Sequence, residues 1–165
     1  MDKDQFILSL LVNNHAGVLT RVSSLFARRA YNIDSLTVGE TENPSLSRIT
    51  IVTRGDEAMK AQMAAQLEKL VDVRTVQLMD LSRTVVRELL VVKLNMEKER
   101  LAEIMEAVNA YRASVVDLSP TSMLIEITGE PTKLDAFLTY IKSYGIIEIC
   151  RTGSTAIGRS TYCLA

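Results

Sequence analysis

The chain is 165 residues long, 47% hydrophobic and 24% charged, which suits a globular protein of one ordinary domain or two small ones. A formal net charge of -1 without a long basic block removes the electrostatic case for a nucleic-acid partner, and no apolar run reaches the length of a membrane helix. A single histidine, no tryptophan and two cysteines leave little material for general acid–base or metal chemistry.

Residues 6–12, Phe-Ile-Leu-Ser-Leu-Leu-Val, form an apolar run of strand length with a content that suits burial on both faces. The stretch Asn13-Asn14-His15-Ala16-Gly17 follows, and then Val18, Val22, Leu25 and Phe26 recur at helical spacing, predicting a helix over 18–30. A polar turn therefore stands where a buried strand ends and a helix opens. The first N–H groups of that helix lack partners within it and favour negative charge, so the turn can seat the carboxylate of a small ligand. Asn and Gly are also ordinary connector residues, and the pattern alone leaves both readings open.

Alternation over 31–38 and 46–53, separated by the turn formers Glu40-Thr41-Glu42-Asn43-Pro44-Ser45, predicts a hairpin with a longer loop. Asp56 is a suitable N-cap for a helix carrying Met59, Met63, Leu67 and Leu70 on one face. Residues 71–78 alternate again and close a β-α-β-β-α-β order, the split βαβ or ferredoxin-like arrangement. The order then repeats, with a strand at 89–94, a helix at 98–112 and a hairpin around Ser119-Pro120-Thr121. Pro131 opens a final helix that Gly145 ends, and a strand follows at 146–150. The fold class is thus α+β, with two tandem ferredoxin-like βαββαβ domains at 1–80 and 83–152. Residues 153–165 show no periodicity and are expected to form a C-terminal tail.

His15 is the one imidazole, and its place in a turn suits a solvated loop residue better than a catalytic one. Cys150, near the end of an apolar strand, is expected to be a small buried hydrophobe, and nothing around Cys163 activates a thiol. Both read as reduced thiols of a cytoplasmic protein, and the opening Met-Asp-Lys-Asp-Gln has no signal-peptide character. Glu97, Glu99, Glu103 and Glu106 share a helix with Lys98 and Arg100, which describes a solvated face. Arg28-Arg29 either offers a basic patch to a partner or ends a helix with favourable cations. The RNA-recognition motif shares the element order, but strands 8–12 and 49–52 carry no aromatics on which bases could stack.

Asn14-His15-Ala16-Gly17-Val18-Leu19-Thr20-Arg21-Val22, then Leu25-Phe26-Ala27-Arg28-Arg29-Ala30-Tyr31-Asn32-Ile33-Asp34-Ser35-Leu36-Thr37-Val38, closely resembles the start of the small, regulatory subunit of acetohydroxyacid (acetolactate) synthase. Pro44-Ser45-Leu46-Ser47-Arg48-Ile49-Thr50-Ile51, Leu67-Glu68-Lys69-Leu70-Val71-Asp72-Val73, Arg87-Glu88-Leu89-Leu90-Val91-Val92-Lys93 and Lys133-Leu134-Asp135-Ala136-Phe137-Leu138 extend the resemblance over nearly the whole chain. It implies an N-terminal ACT domain that senses an amino acid and a homodimer whose ACT domains pair side by side. It also implies a partner, the catalytic large subunit, which carries thiamine diphosphate, FAD and magnesium; this chain itself holds no cofactor or metal and has no catalytic residue. Within branched-chain amino-acid biosynthesis, such a subunit raises the activity of its partner and confers feedback inhibition by valine. The family's effector contacts map onto Asn14, Gly17 and Asn32, with Val18 a neighbouring candidate by position. His15-Ala16 departs from the small polar or acidic pair often found there. The competing readings are a stand-alone ACT amino-acid sensor acting on a different enzyme or transcription factor, and a small enzyme in its own right.

Overall fold

A computed structural model describes residues 4–164, and for Lys98 its backbone alone. The chain divides into two compact units, one made of the residues up to Val86 together with those from Gly153 onward, the other of Arg87–Thr152.

In the first unit the order is β1 (Gln5–Asn13), α1 (Val18–Arg28), β2 (Ser35–Glu40), β3 (Leu46–Arg54), α2 (Glu57–Leu67) and β4 (Val73–Leu78). The antiparallel sheet runs β2-β3-β1-β4. Alternation along β1 separates two apolar sets, as a period of two requires. Phe6, Leu8, Leu10 and Val12 pack against Val18, Val22, Leu25 and Phe26 of α1 and Met63 and Leu67 of α2. On the other face, Ile7 joins Val52, Met79, Val86 and Ala156. The first strand is therefore buried on both sides, as its composition predicts. Asp56 caps α2 by accepting from the Met59 N–H at 2.8 Å.

β5 (Thr84–Asn95) starts in the first unit and continues into the second, where with α3 (Leu101–Ala110), β6 (Ser114–Leu118), β7 (Ser122–Gly129), α4 (Pro131–Ile141) and β8 (Ile146–Arg151) it repeats the order, and the strands run β6-β7-β5-β8. Leu90, Val92 and Leu94 alternate toward Ile104 and Val108 of α3 and Leu134, Phe137 and Ile141 of α4. Tyr111 meets Phe137 edge-on with ring centroids 5.3 Å apart. Arg151 ties β8 to β5 and α4, its Nε donating to Glu88 Oε2 and its Nη1 to Asp135 Oδ1, both at 2.6 Å.

Several expectations are corrected. The strand expected from residue 31 begins at Ser35, because Tyr31 and Ile33 pack into the helix-side core from an irregular segment. The strand expected from 71 begins at Val73; Val71 is 93% exposed, while its neighbour Asp72 is buried. Cys150 is exposed rather than buried, as β8 lies at an edge of its sheet. The last segment, expected to form a C-terminal tail, carries β9 (Thr155–Gly158), which pairs with β5. It is anchored in the first unit by buried Ala156 and by the Tyr162 hydroxyl, which accepts from the Asp80 N–H at 3.0 Å and donates to Leu78 O at 3.2 Å. Among the described residues, no helix is long and apolar enough to cross a membrane.

Candidate effector-binding turn

The turn between β1 and α1 is shaped by Gly17, whose φ of 88° and ψ of -11° lie in the left-handed region that a side chain disfavours. Gly17 is the N-cap of α1 and no side chain caps the helix there. The Val18 N–H donates to His15 O at 3.5 Å, and the Leu19 and Thr20 N–H groups that follow stand in the first helical turn, where an acceptor can approach. Val18 itself sends its side chain into the core and is 4% exposed; what it can offer a ligand is its backbone.

Asn14 is pinned from the β2–β3 side. Its N–H donates to Ser45 O at 2.7 Å, and its Nδ2 donates to Glu40 Oε1 and to Pro44 O, both at 2.9 Å. With its amide hydrogens so engaged, Asn14 presents Oδ1 as an acceptor. Asn32 stands beyond the other end of α1. Its Nδ2 donates to Asp34 Oδ1 at 3.0 Å and its carbonyl accepts from Thr53 Oγ1 at 2.6 Å. An α-helix of eleven residues rises about 16 Å, so one chain does not bring Asn32 to Asn14 and Gly17.

Glu40 at the end of β2, Arg21 of α1 and Asp72 between α2 and β4 also stand around the turn. Asp72 accepts from His15 Nε2 at 2.9 Å and is paired through its second oxygen with Arg21 Nη1, while its backbone carbonyl accepts from the Asn13 N–H at 2.8 Å. Burial disfavours the Asp72 charge, but the hydrogen bond and charge of Arg21, joined by those of His15, outweigh it and hold the carboxyl below the ordinary aspartate range. His15 is thus not merely solvated. The only local signal for Asp72 was an acid between two valines, which reads as the polar position of an alternating strand. Among the described residues, no group of three or more His, Cys, Asp or Glu side chains is placed to hold a metal ion.

Two βαββαβ units with the same strand order make this a tandem ferredoxin-like protein, whose first unit carries a glycine-opened turn between its first strand and helix. Residues 8–75 match the family described as the AHAS small subunit-like ACT domain, and residues 87–160 match the small subunit of acetolactate synthase. The chain is 44% identical over 163 residues to the probable acetolactate synthase small subunit of Methanothermobacter thermautotrophicus, covering 98% of this chain and 96% of that one. It is also 42% identical over 156 residues to the acetolactate synthase small subunit of Bacillus subtilis, covering 94% and 91%. The crystal structure of the acetolactate synthase small subunit from Thermotoga maritima superposes with a TM-score of 0.89 at 38% identity, covering 95% of this chain and 98% of that one. The chain belongs to the acetolactate synthase small-subunit family.

Proposed function

We propose that this chain is the non-catalytic regulatory subunit of an acetolactate synthase in the cytoplasm. It activates a catalytic large subunit and makes that partner sensitive to valine within branched-chain amino-acid biosynthesis. Thiamine diphosphate, FAD and magnesium belong to the large subunit in this reading, and the small subunit supplies the sensor.

The observation that carries the reading is the turn itself. An uncapped helix N-terminus, opened by a left-handed glycine, stands beside an asparagine whose amide hydrogens are already engaged. The helix end suits the carboxylate of an amino acid, and Asn14 Oδ1 suits its ammonium. Gly17 lets the ligand approach the backbone where a Cβ would stand in the way.

The effector site takes two copies of the chain. Asn14 is bonded to Glu40 at the end of β2, whereas Asn32 precedes the start of β2. β2 is an edge strand of its sheet. Antiparallel pairing of two β2 edges sets the start of one strand beside the end of the other, which brings Asn32 of a second copy toward Asn14 and Gly17. Side-by-side ACT dimerisation therefore completes a site that one chain leaves divided.

Isothermal titration of valine into the purified chain, with sedimentation to read its oligomeric state, tests the proposal. Saturable binding by a dimer, lost in Asn14→Ala and in Asn32→Ala, is the expected result. Binding by a monomer, or binding unaffected by Asn32→Ala, overturns the shared site. Retention of an enzyme other than a thiamine-dependent synthase from a native extract overturns the assignment of partner.

A further inference from the structure

Asp72 lies in the connection between α2 and β4, and its side chain is 9% exposed. A carboxylate withdrawn from water needs partners for its charge. Both of its oxygens have them: one faces His15 Nε2 at 2.9 Å and the other faces Arg21 Nη1. His15 is part of the β1–α1 turn, Arg21 is in the first turns of α1, and the Asn13 N–H at the end of β1 donates to the Asp72 carbonyl. A guanidinium nitrogen of Arg21 also lies 4.0 Å from where a Cβ on Gly17 would stand. One residue from a distant part of the chain therefore grips the strand end, the turn and the helix start together. Asn14 is gripped from the opposite side by the β2–β3 loop.

Resting on the effector reading above, we propose that Asp72 is a positioning residue for that site. It holds the β1–α1 turn in the form that receives the effector, acting through His15 and Arg21 without touching the ligand. Charge-assisted hydrogen bonds from two cationic or polar donors make this grip stronger than that of a neutral side chain. When the grip loosens, only a fraction of chains presents the competent turn, and the apparent affinity falls by that fraction.

The test compares the full-length chain with Asp72→Asn, Arg21→Gln and the double variant. Valine affinity is read by calorimetry, and amide hydrogen exchange is read without effector. Asp72→Asn is expected to weaken valine binding about tenfold, the scale of one hydrogen bond to a charged group. The double variant is expected to bind no more weakly than the weaker single one, because both changes break the same network. Exchange at residues 15–20 rises in Asp72→Asn while the amides of β1 and β3 stay protected. The ring resonance of His15, the one histidine in the chain, moves on valine saturation in the wild type and responds differently in Asp72→Asn. Equal valine affinity and unchanged exchange at the turn overturn the positioning role while leaving the effector reading intact. Loss of protection throughout the sheet also overturns it, since Asp72 would then be a general stabiliser. A wild type that binds no valine overturns the effector reading, and the role assigned to Asp72 falls with it.

Discussion

Asn14 donates its side-chain amide to Glu40 at 2.9 Å, so the residue that follows β1 is oriented by the residue that ends β2. The same arrangement recurs at the far end of α1, where Asn32 donates to Asp34 at 3.0 Å. In each case a carboxylate takes an amide hydrogen and leaves the asparagine Oδ1 as the acceptor. In the proposed site, asparagine oxygens oriented in this way would take the ammonium of an amino acid, with its carboxylate at the helix end.

Replacing Glu40 by Ala is therefore expected to weaken valine binding about tenfold, while Glu40→Gln, which keeps an acceptor oxygen, costs less. Titration calorimetry of the three proteins checks the order. Equal affinity in wild type and Glu40→Ala would show that the Pro44 and Ser45 carbonyls orient Asn14 unaided.

Gly17→Ala is expected to destabilise the first unit by roughly 1–2 kcal/mol, because a φ of 88° forces a Cβ into an unfavoured backbone region. Chemical denaturation measures the loss, and calorimetry of the variant is expected to show weaker valine binding as well. A variant of unchanged stability would mean that the turn relaxes to another conformation.

The Asp34 carboxyl is held below the ordinary aspartate range, chiefly by the Arg54 guanidinium at 2.7 Å, against a smaller opposing effect of burial and with help from Gln5 and Asn32. A carboxyl that titrates lower in the folded protein than in the unfolded chain contributes stability that is fully present above about pH 4. That contribution is lost as pH falls through the folded value. Asp34→Asn is expected to flatten the acid limb of stability below about pH 4 and to leave its slope at pH 7 unchanged. Urea midpoints over that range read the difference.

Tyr162→Phe removes a hydroxyl that bridges the Asp80 N–H and the Leu78 carbonyl, and it leaves the ring under the Arg83 guanidinium 4.6 Å away. The expected loss is about 1 kcal/mol, with the first unit becoming more open to proteolysis near its last segment. Limited digestion followed by mass analysis locates the cut. Cleavage no faster than in the wild type would show that β9 pairing, buried Ala156 and the Arg159 N–H on Arg83 O secure the segment without the hydroxyl.

The sequence by itself determined the repeated βαββαβ order, the double burial of β1, the position of the turn and the role of Asp56 and Pro131 at helix starts. Each of these follows from spacing over a few residues, because periodicity, capping and glycine conformation are local properties. Tertiary structure alone decided that Val71 faces outward and Asp72 inward, that Cys150 is exposed on an edge strand, and that the last residues return to pack Ala156 beside Ile7 and Val52. It also decided that His15, Arg21 and Asp72 meet. Partners more than fifty residues apart leave no mark on local spacing, since the free energy that joins them comes from desolvating and pairing charges that only the folded chain brings together.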